Sequence, residues 1–112
     1  MSYWIYLEKD GKTVEVDNHS EGGTYVLGGT TEADMSVTYN YSMVTIPVGF
    51  RFSGLHDVSA ADSIPTLERV VKELGTEQDD DYWAPTPGNA GYAANILLKW
   101  ARQHPDAVWR VS

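Results

Sequence analysis

Apolar and polar positions alternate strictly over residues 35–42, with Met35, Val37, Tyr39 and Tyr41 against Ser36, Thr38, Asn40 and Ser42. A period of two is the signature of a strand buried on one face. A second alternation, Tyr3, Ile5 and Leu7 against Trp4 and Tyr6, predicts an N-terminal strand. Lys9-Asp10-Gly11-Lys12 then supplies hairpin chemistry, because both central residues tolerate the positive φ that a tight turn demands. Residues 13–16 follow as the return strand. Polar and glycine-bearing residues 17–24 read as a loop before a short strand at Tyr25-Val26-Leu27.

The pattern changes period after residue 55. Ile64, Leu67, Val70, Val71 and Leu74 fall on one helical stripe, with Asp62 or Ser63 as the cap, Pro65 in the first turn and Gly75 just past the end. A second helix starts at Thr86-Pro87, since a threonine hydroxyl accepts from orphan helix amides and proline has no N–H to leave unpaired. It carries small residues, Ala90, Ala93, Ala94 and Ala101, and stops at His104-Pro105. Residues 107–111 then predict a terminal strand. Between these blocks, residues 43–55 contain Pro47, Gly49 and Gly54, so they read as irregular with at most a short strand. Strands first, then two helices, then a strand, predict one α+β domain over residues 1–112. Its antiparallel sheet has four to five strands and two helices packed on one face, with the C-terminal strand beside the N-terminal one.

Composition narrows the function classes. The formal net charge of -8 argues against duplex nucleic acid, which requires a basic surface. Cysteine is absent, which excludes disulfides and thiol chemistry and fits a reducing cytoplasm. No leader or membrane segment is read at the N-terminus, because Glu8, Lys9 and Asp10 follow its apolar run at once.

At Glu21-Gly22-Gly23-Thr24, Thr38-Tyr39-Asn40-Tyr41-Ser42 and Tyr82-Trp83 through Thr86-Pro87-Gly88-Asn89-Ala90-Gly91, with Trp100-Ala101 and His104-Pro105, the chain resembles a small-protein family of bacteriophage and prophage genomes and related bacterial loci. The resemblance spans nearly the whole chain and brings no settled activity with it. It implies the cytoplasm of a bacterial host cell. It also implies an accessory role, countering defence by binding a protein or sequestering a nucleotide signal. Family members continue past the Tyr-Asn-Tyr strand into a helix, a pattern from which residues 43–51 depart at Pro47 and Gly49.

The candidate chemistry centres on the start of the second helix. Amides near Gly88, Asn89 and Ala90 sit at a positive helix end and suit a phosphate or carboxylate. Tyr82, Trp83 and Tyr92 would stack a base, and Arg51 or Arg110 would neutralise its charge. A plain cap at Thr86 with core aromatics explains the same residues without a ligand. Asp17, His19 and Glu21, with His56 and His104 as distant partners, make a weaker metal reading, and Asp79-Asp80-Asp81 lacks the spaced ligands of a calcium loop. No nucleophile elbow, zinc helix or phosphate loop is present in the sequence.

The expectation is therefore a non-catalytic binder of a small anionic or nucleotide-like ligand, without cofactor or metal, with a second subunit of a homo-oligomer as one way to complete its site. The alternative is a module that inhibits or adapts a host protein through an acidic, aromatic surface.

Overall fold

A computed structural model describes residues 2–16, 32–81 and 83–112. The N-terminal alternation forms β1 (Ser2–Lys9), and Asp10 and Gly11 turn the chain at φ of 54° and 78° into β2 (Lys12–Thr13). Next come β3 (Asp34–Thr38), the short α1 (Ser42–Thr45), α2 (Ala60–Leu74), α3 (Pro87–Gln103) and β4 (Val108–Val111). The strands form one four-stranded antiparallel sheet.

β1 is its centre. One edge pairs with β3 over residues 2–6, Ser2 opposite Thr38 and Tyr6 opposite Asp34. The change of partner falls at Leu7, whose N–H donates to Ala33 and whose carbonyl accepts from Val14; β2 then pairs with Glu8 and Lys9. β4 takes the other edge, with Ile5 opposite Val111 and Glu8 opposite Val108. The C-terminal strand thus docks beside the N-terminal one, as the pattern predicts. The predicted strand at Tyr25-Val26-Leu27 lies outside the described residues.

One sheet face is buried. Ile5, Leu7, Met35, Val37 and Trp109 share a single core with Leu67 and Val70 of α2 and Ala90, Ala94, Leu97 and Ala101 of α3. Burial of this apolar surface is the main term holding the layers together. Trp4, Tyr6, Ser36, Val108 and Arg110 are half-buried on the opposite face, as alternation requires.

Two boundaries differ from the sequence pattern for tertiary reasons. α2 starts at Ala60, with Ser59 as its cap accepting from Asp62 N–H at 3.1 Å, so neither Asp62 nor Ser63 is the cap. The amides of Ala60 and Ala61 donate to the carbonyls of Ala107 and Pro105. The approach to β4 therefore satisfies helix-start donors that would otherwise need water. Pro65 consequently lies inside the helix and not in its first turn. Gly75 follows the helix at φ 75°, as predicted.

The second difference is larger. The strand predicted over 35–42 ends at Thr38, whose hydroxyl accepts from Asn40 N–H at 3.2 Å, and a helical segment begins there. A 3-10 turn at Tyr39–Tyr41, α1 and a second 3-10 turn at Ile46–Val48 run on continuously. Gly49, at φ 78°, ends the run. A further 3-10 turn, Phe52–Leu55, follows. Residues 43–55 are thus mostly helical and contain no strand. Pro47 is accommodated because it sits at the start of the second 3-10 turn.

Candidate functional site

The start of α3 is built as the Thr-Pro pair predicts: Thr86 Oγ1 accepts from Asn89 N–H at 3.2 Å, and Pro87 is the first helical residue. Asn89 is buried, and its side chain makes three hydrogen bonds. Its Oδ1 accepts from Asp79 N–H at 2.9 Å, and its Nδ2 donates to the carbonyls of Asp81 and Ala84, each at 3.0 Å. An amide side chain has one acceptor and two donor hydrogens, so each part of Asn89 has a partner in the loop. The residue is a clamp on residues 79–84.

Gly88 and Gly91 serve the same packing. A Cβ on Gly88 would lie 1.7 Å from the Glu77 carbonyl oxygen, and one on Gly91 would lie 1.7 Å from that of Gly75. The chain's own backbone occupies the space that the sequence reading reserved for a ligand. Asn89 N–H goes to the cap and Ala90 N–H to the Thr86 carbonyl. Pro87 has no N–H, which leaves the Gly88 amide as the one uncommitted donor of this first turn among the described residues. A cavity of about 410 Å³ does open beside it, lined by Leu74, Glu77, Asp79, Thr86 and Gly88 among others. Two carboxylates and no cationic side chain line it, the wrong electrostatics for an anion.

The remaining residues of the anion reading do not gather there. Arg51 lines a different cavity, of about 210 Å³, with Phe50, Leu55, Asp62 and Thr66. Arg110 is on β4, paired with Asp57 and Glu8. Tyr92 is half-buried against the core, and Tyr82 lies outside the described residues. Trp83 is the exception, with 57% of its surface exposed.

Trp83 has company. The Asn40 side-chain amide donates to the Trp83 carbonyl at 3.0 Å, seating the Trp83 loop against the helical segment over residues 39–48. Tyr41 and Thr45 of that segment are buried, while Tyr39, Met43 and Ile46 are exposed by 39%, 71% and 42%. The spacings of four and three residues bring Tyr39, Met43 and Ile46 onto one helical face. The face is anchored: the Tyr39 ring lies 4.4 Å from that of Tyr3, which continues to Phe52 at 6.4 Å and Phe50 beyond it.

Asp79, Asp80 and Asp81, all exposed, border Trp83. Asp79 Oδ1 accepts from Asp81 N–H at 2.9 Å and Asp81 Oδ1 from Trp83 N–H at 3.0 Å, so the acidic run is held in successive turns. Tyr39, Asn40, Met43 and Ile46 were absent from the sequence candidates, because the alternating pattern placed Tyr39 and Tyr41 together on a strand face. The spacing of Tyr41, Thr45 and Val48, following Thr38 as a cap, is the helical signal that competes with it.

The two histidines within the described residues are committed to backbone. His56 Nδ1 accepts from Val111 N–H at 3.0 Å, at the β4 edge, and His104 Nε2 meets the Glu15 carbonyl at 2.5 Å, on the β2 side. They lie on opposite sides of β1 and do not converge. No group of three or more His, Asp or Glu suited to a metal occurs among the described residues, and Asp17, His19 and Glu21 lie outside them. No helix among the described residues is long and apolar enough to cross a membrane.

Comparison with known proteins adds no constraint: no protein-family model, curated protein or solved structure matches the chain.

Proposed function

We propose that this protein is a non-catalytic binding module that acts on a partner protein through the face made by Tyr39, Met43, Ile46 and Trp83. The observation that carries this reading is the Asn40 to Trp83 hydrogen bond, which seats the loop that carries the most exposed tryptophan against an already apolar helical segment. Large apolar side chains standing together in water mark an interaction surface, whereas scattered ones do not. Covering each contributes only part of the roughly 1.5–3 kcal/mol for burying a fully exposed side chain, since 39–71% of each is open to water, and this comes before the cost of association. The acidic rim and the net charge of -8 favour a partner with a basic surface. In the phage-type setting suggested by the resemblance, that partner is a host protein. The ligand-sequestering alternative has less support, because the helix start it relies on is packed by the chain itself.

The test places a photo-cross-linking residue at Met43 in the full chain inside the expression host, with the same residue at exposed Lys12 as control. Lys12 lies near the far end of β1 from Tyr3. The expected result is one adduct from position 43 that disappears when Trp83→Ser and Ile46→Ser are added and never forms from position 12. An adduct that survives those substitutions, or none from position 43, overturns the reading.

A further inference from the structure

The apolar face is asymmetric in charge, and we infer that its occupant is an amphipathic helix whose cationic residues cluster at the end that meets Trp83. The inference rests on the docking face proposed above and names its partner. At the Trp83 end stand Asp79, Asp80 and Asp81. Asp79 and Asp81 each accept a loop amide through Oδ1, and the carboxylates of all three aspartates are exposed to an incoming donor. The exposed indole beside them adds a ring face, which attracts ammonium and guanidinium groups.

At the opposite end the charge is of the other sign, with Arg51 exposed just past Gly49. Arg69 Nη1 donates to the Val48 carbonyl at 2.8 Å and pairs with Glu73 at 3.2 Å, closing the segment where Ile46 lies. The acidic end therefore attracts cations, whereas the other end carries Arg51 and the Arg69–Glu73 pair and does not.

Geometry selects the shape of the partner. The eight steps from Asn40 to Val48 advance roughly 12–16 Å at helical rises of about 1.5–2 Å per residue, a length matched by two to three turns of a second helix. Tyr39, Met43 and Ile46 present ridges at helical spacing, which pack into the grooves of another helix. The first of these ridges is supported: the Tyr39 ring rests on Tyr3, which continues to Phe52 and Phe50. A strand adding to a sheet edge would bond to backbone and leave these side chains uncovered.

The experiment titrates the full chain with a synthetic amphipathic peptide that has leucines at helical spacing and a lysine cluster at one terminus. A glutamate-cluster version of the peptide is the comparison. Tryptophan emission is followed, and Trp83→Phe supplies the blank, since Trp100 and Trp109 are buried and half-buried Trp4 lies on the sheet face away from the core. The lysine peptide is expected to give a saturable blue shift that Trp83→Phe abolishes. Its affinity should fall about tenfold in the combined Asp79→Asn, Asp80→Asn and Asp81→Asn variant, and by a similar factor between about 0.05 and 0.5 M salt.

Circular dichroism of the asparagine variant checks that its fold is retained, as the surviving side-chain carbonyl acceptors at 79 and 81 favour. Equal binding of the glutamate peptide, salt-independent binding, or no shift with either peptide overturns the inference. If neither peptide shifts emission while position 43 still forms its patch-dependent adduct, the charged-helix partner is wrong and the docking face stands. Loss of both overturns both.

Discussion

The Asn40 side chain and the Trp83 carbonyl, 3.0 Å apart, join segments separated by 43 residues in sequence and seat the Trp83 loop against the helical segment over residues 39–48. Asn40→Ala removes that donor from an exposed site, so it should cost about 0.5–1.5 kcal/mol in denaturant unfolding. Capture by the Met43 cross-linker should nevertheless fall severalfold, because the Trp83 loop is no longer held against the helical segment that carries Met43. Unchanged capture would mean that the bond does not organise the face.

Asn89 should matter far more to stability. Asn89→Ala leaves the Asp79 N–H and the carbonyls of Asp81 and Ala84 without their side-chain partner. Urea unfolding should show a loss of about 2–4 kcal/mol, since several groups in a part-buried site lose their bonds at once. A loss within the range of an ordinary surface substitution would show that water replaces the clamp.

Gly91→Ala tests the packing of α3 through its sign. In an exposed helix interior the change stabilises by about 1 kcal/mol. Here the added methyl meets the Gly75 carbonyl oxygen at 1.7 Å, so α2 and α3 must separate. Thermal unfolding should register destabilisation of about 1–3 kcal/mol or more, the range for overpacking. Gly88→Ala, against Glu77, should follow the same sign. A rise in Tm for either would refute the close approach.

Ser63 and Trp109 form a buried relay: the indole N–H donates to Ser63 Oγ at 2.8 Å, and that hydroxyl donates to the Ala60 carbonyl at 2.7 Å. Ser63→Ala leaves the indole N–H unpaired and should cost about 1–3 kcal/mol. In the Trp109→Phe background the same change should cost less, giving a coupling of about 0.5–3 kcal/mol in a double-mutant cycle. Additive losses would show that the two side chains act independently.

Lys9 and Asp106 give a pH dependence with a definite sign. The hydrogen bond from Lys9 holds the Asp106 carboxyl below its ordinary value, and the same bond raises Lys9. The lowered carboxyl adds stability above its unfolded value that is lost as pH falls through its folded one. The raised ammonium adds stability below its unfolded value that is lost as pH rises through its folded one. The pair therefore acts between about pH 4 and 10. Its partners are 48% and 58% exposed, so solvent and salt weaken it. Asp106→Asn should flatten the acid limb of Tm against pH at low salt, and the difference should close at high salt. A variant curve parallel to the parent curve would count against the pair.

Local signals in the sequence were sufficient wherever one residue's own geometry decides the structure. Asp10-Gly11 dictates a turn through positive φ, Thr86-Pro87 a helix start through one hydroxyl and one missing N–H, and Gly75 a helix end. Alternation in β1 and the helical stripe of α2 likewise determine which faces are buried, and with them the α+β class. Tertiary structure decided what neighbours supply. The amides that begin α2 found carbonyls at Pro105 and Ala107, which moved its start to Ala60. Thr38 broke an alternation that reads equally well as strand, and burial of Tyr41 and Thr45 turned Tyr39, Met43 and Ile46 outward. Gly88 and Gly91 signal close approach in the sequence, but not what approaches. The fold answers with the backbone of Glu77 and Gly75, because contacts between distant segments depend on packing that no single residue encodes.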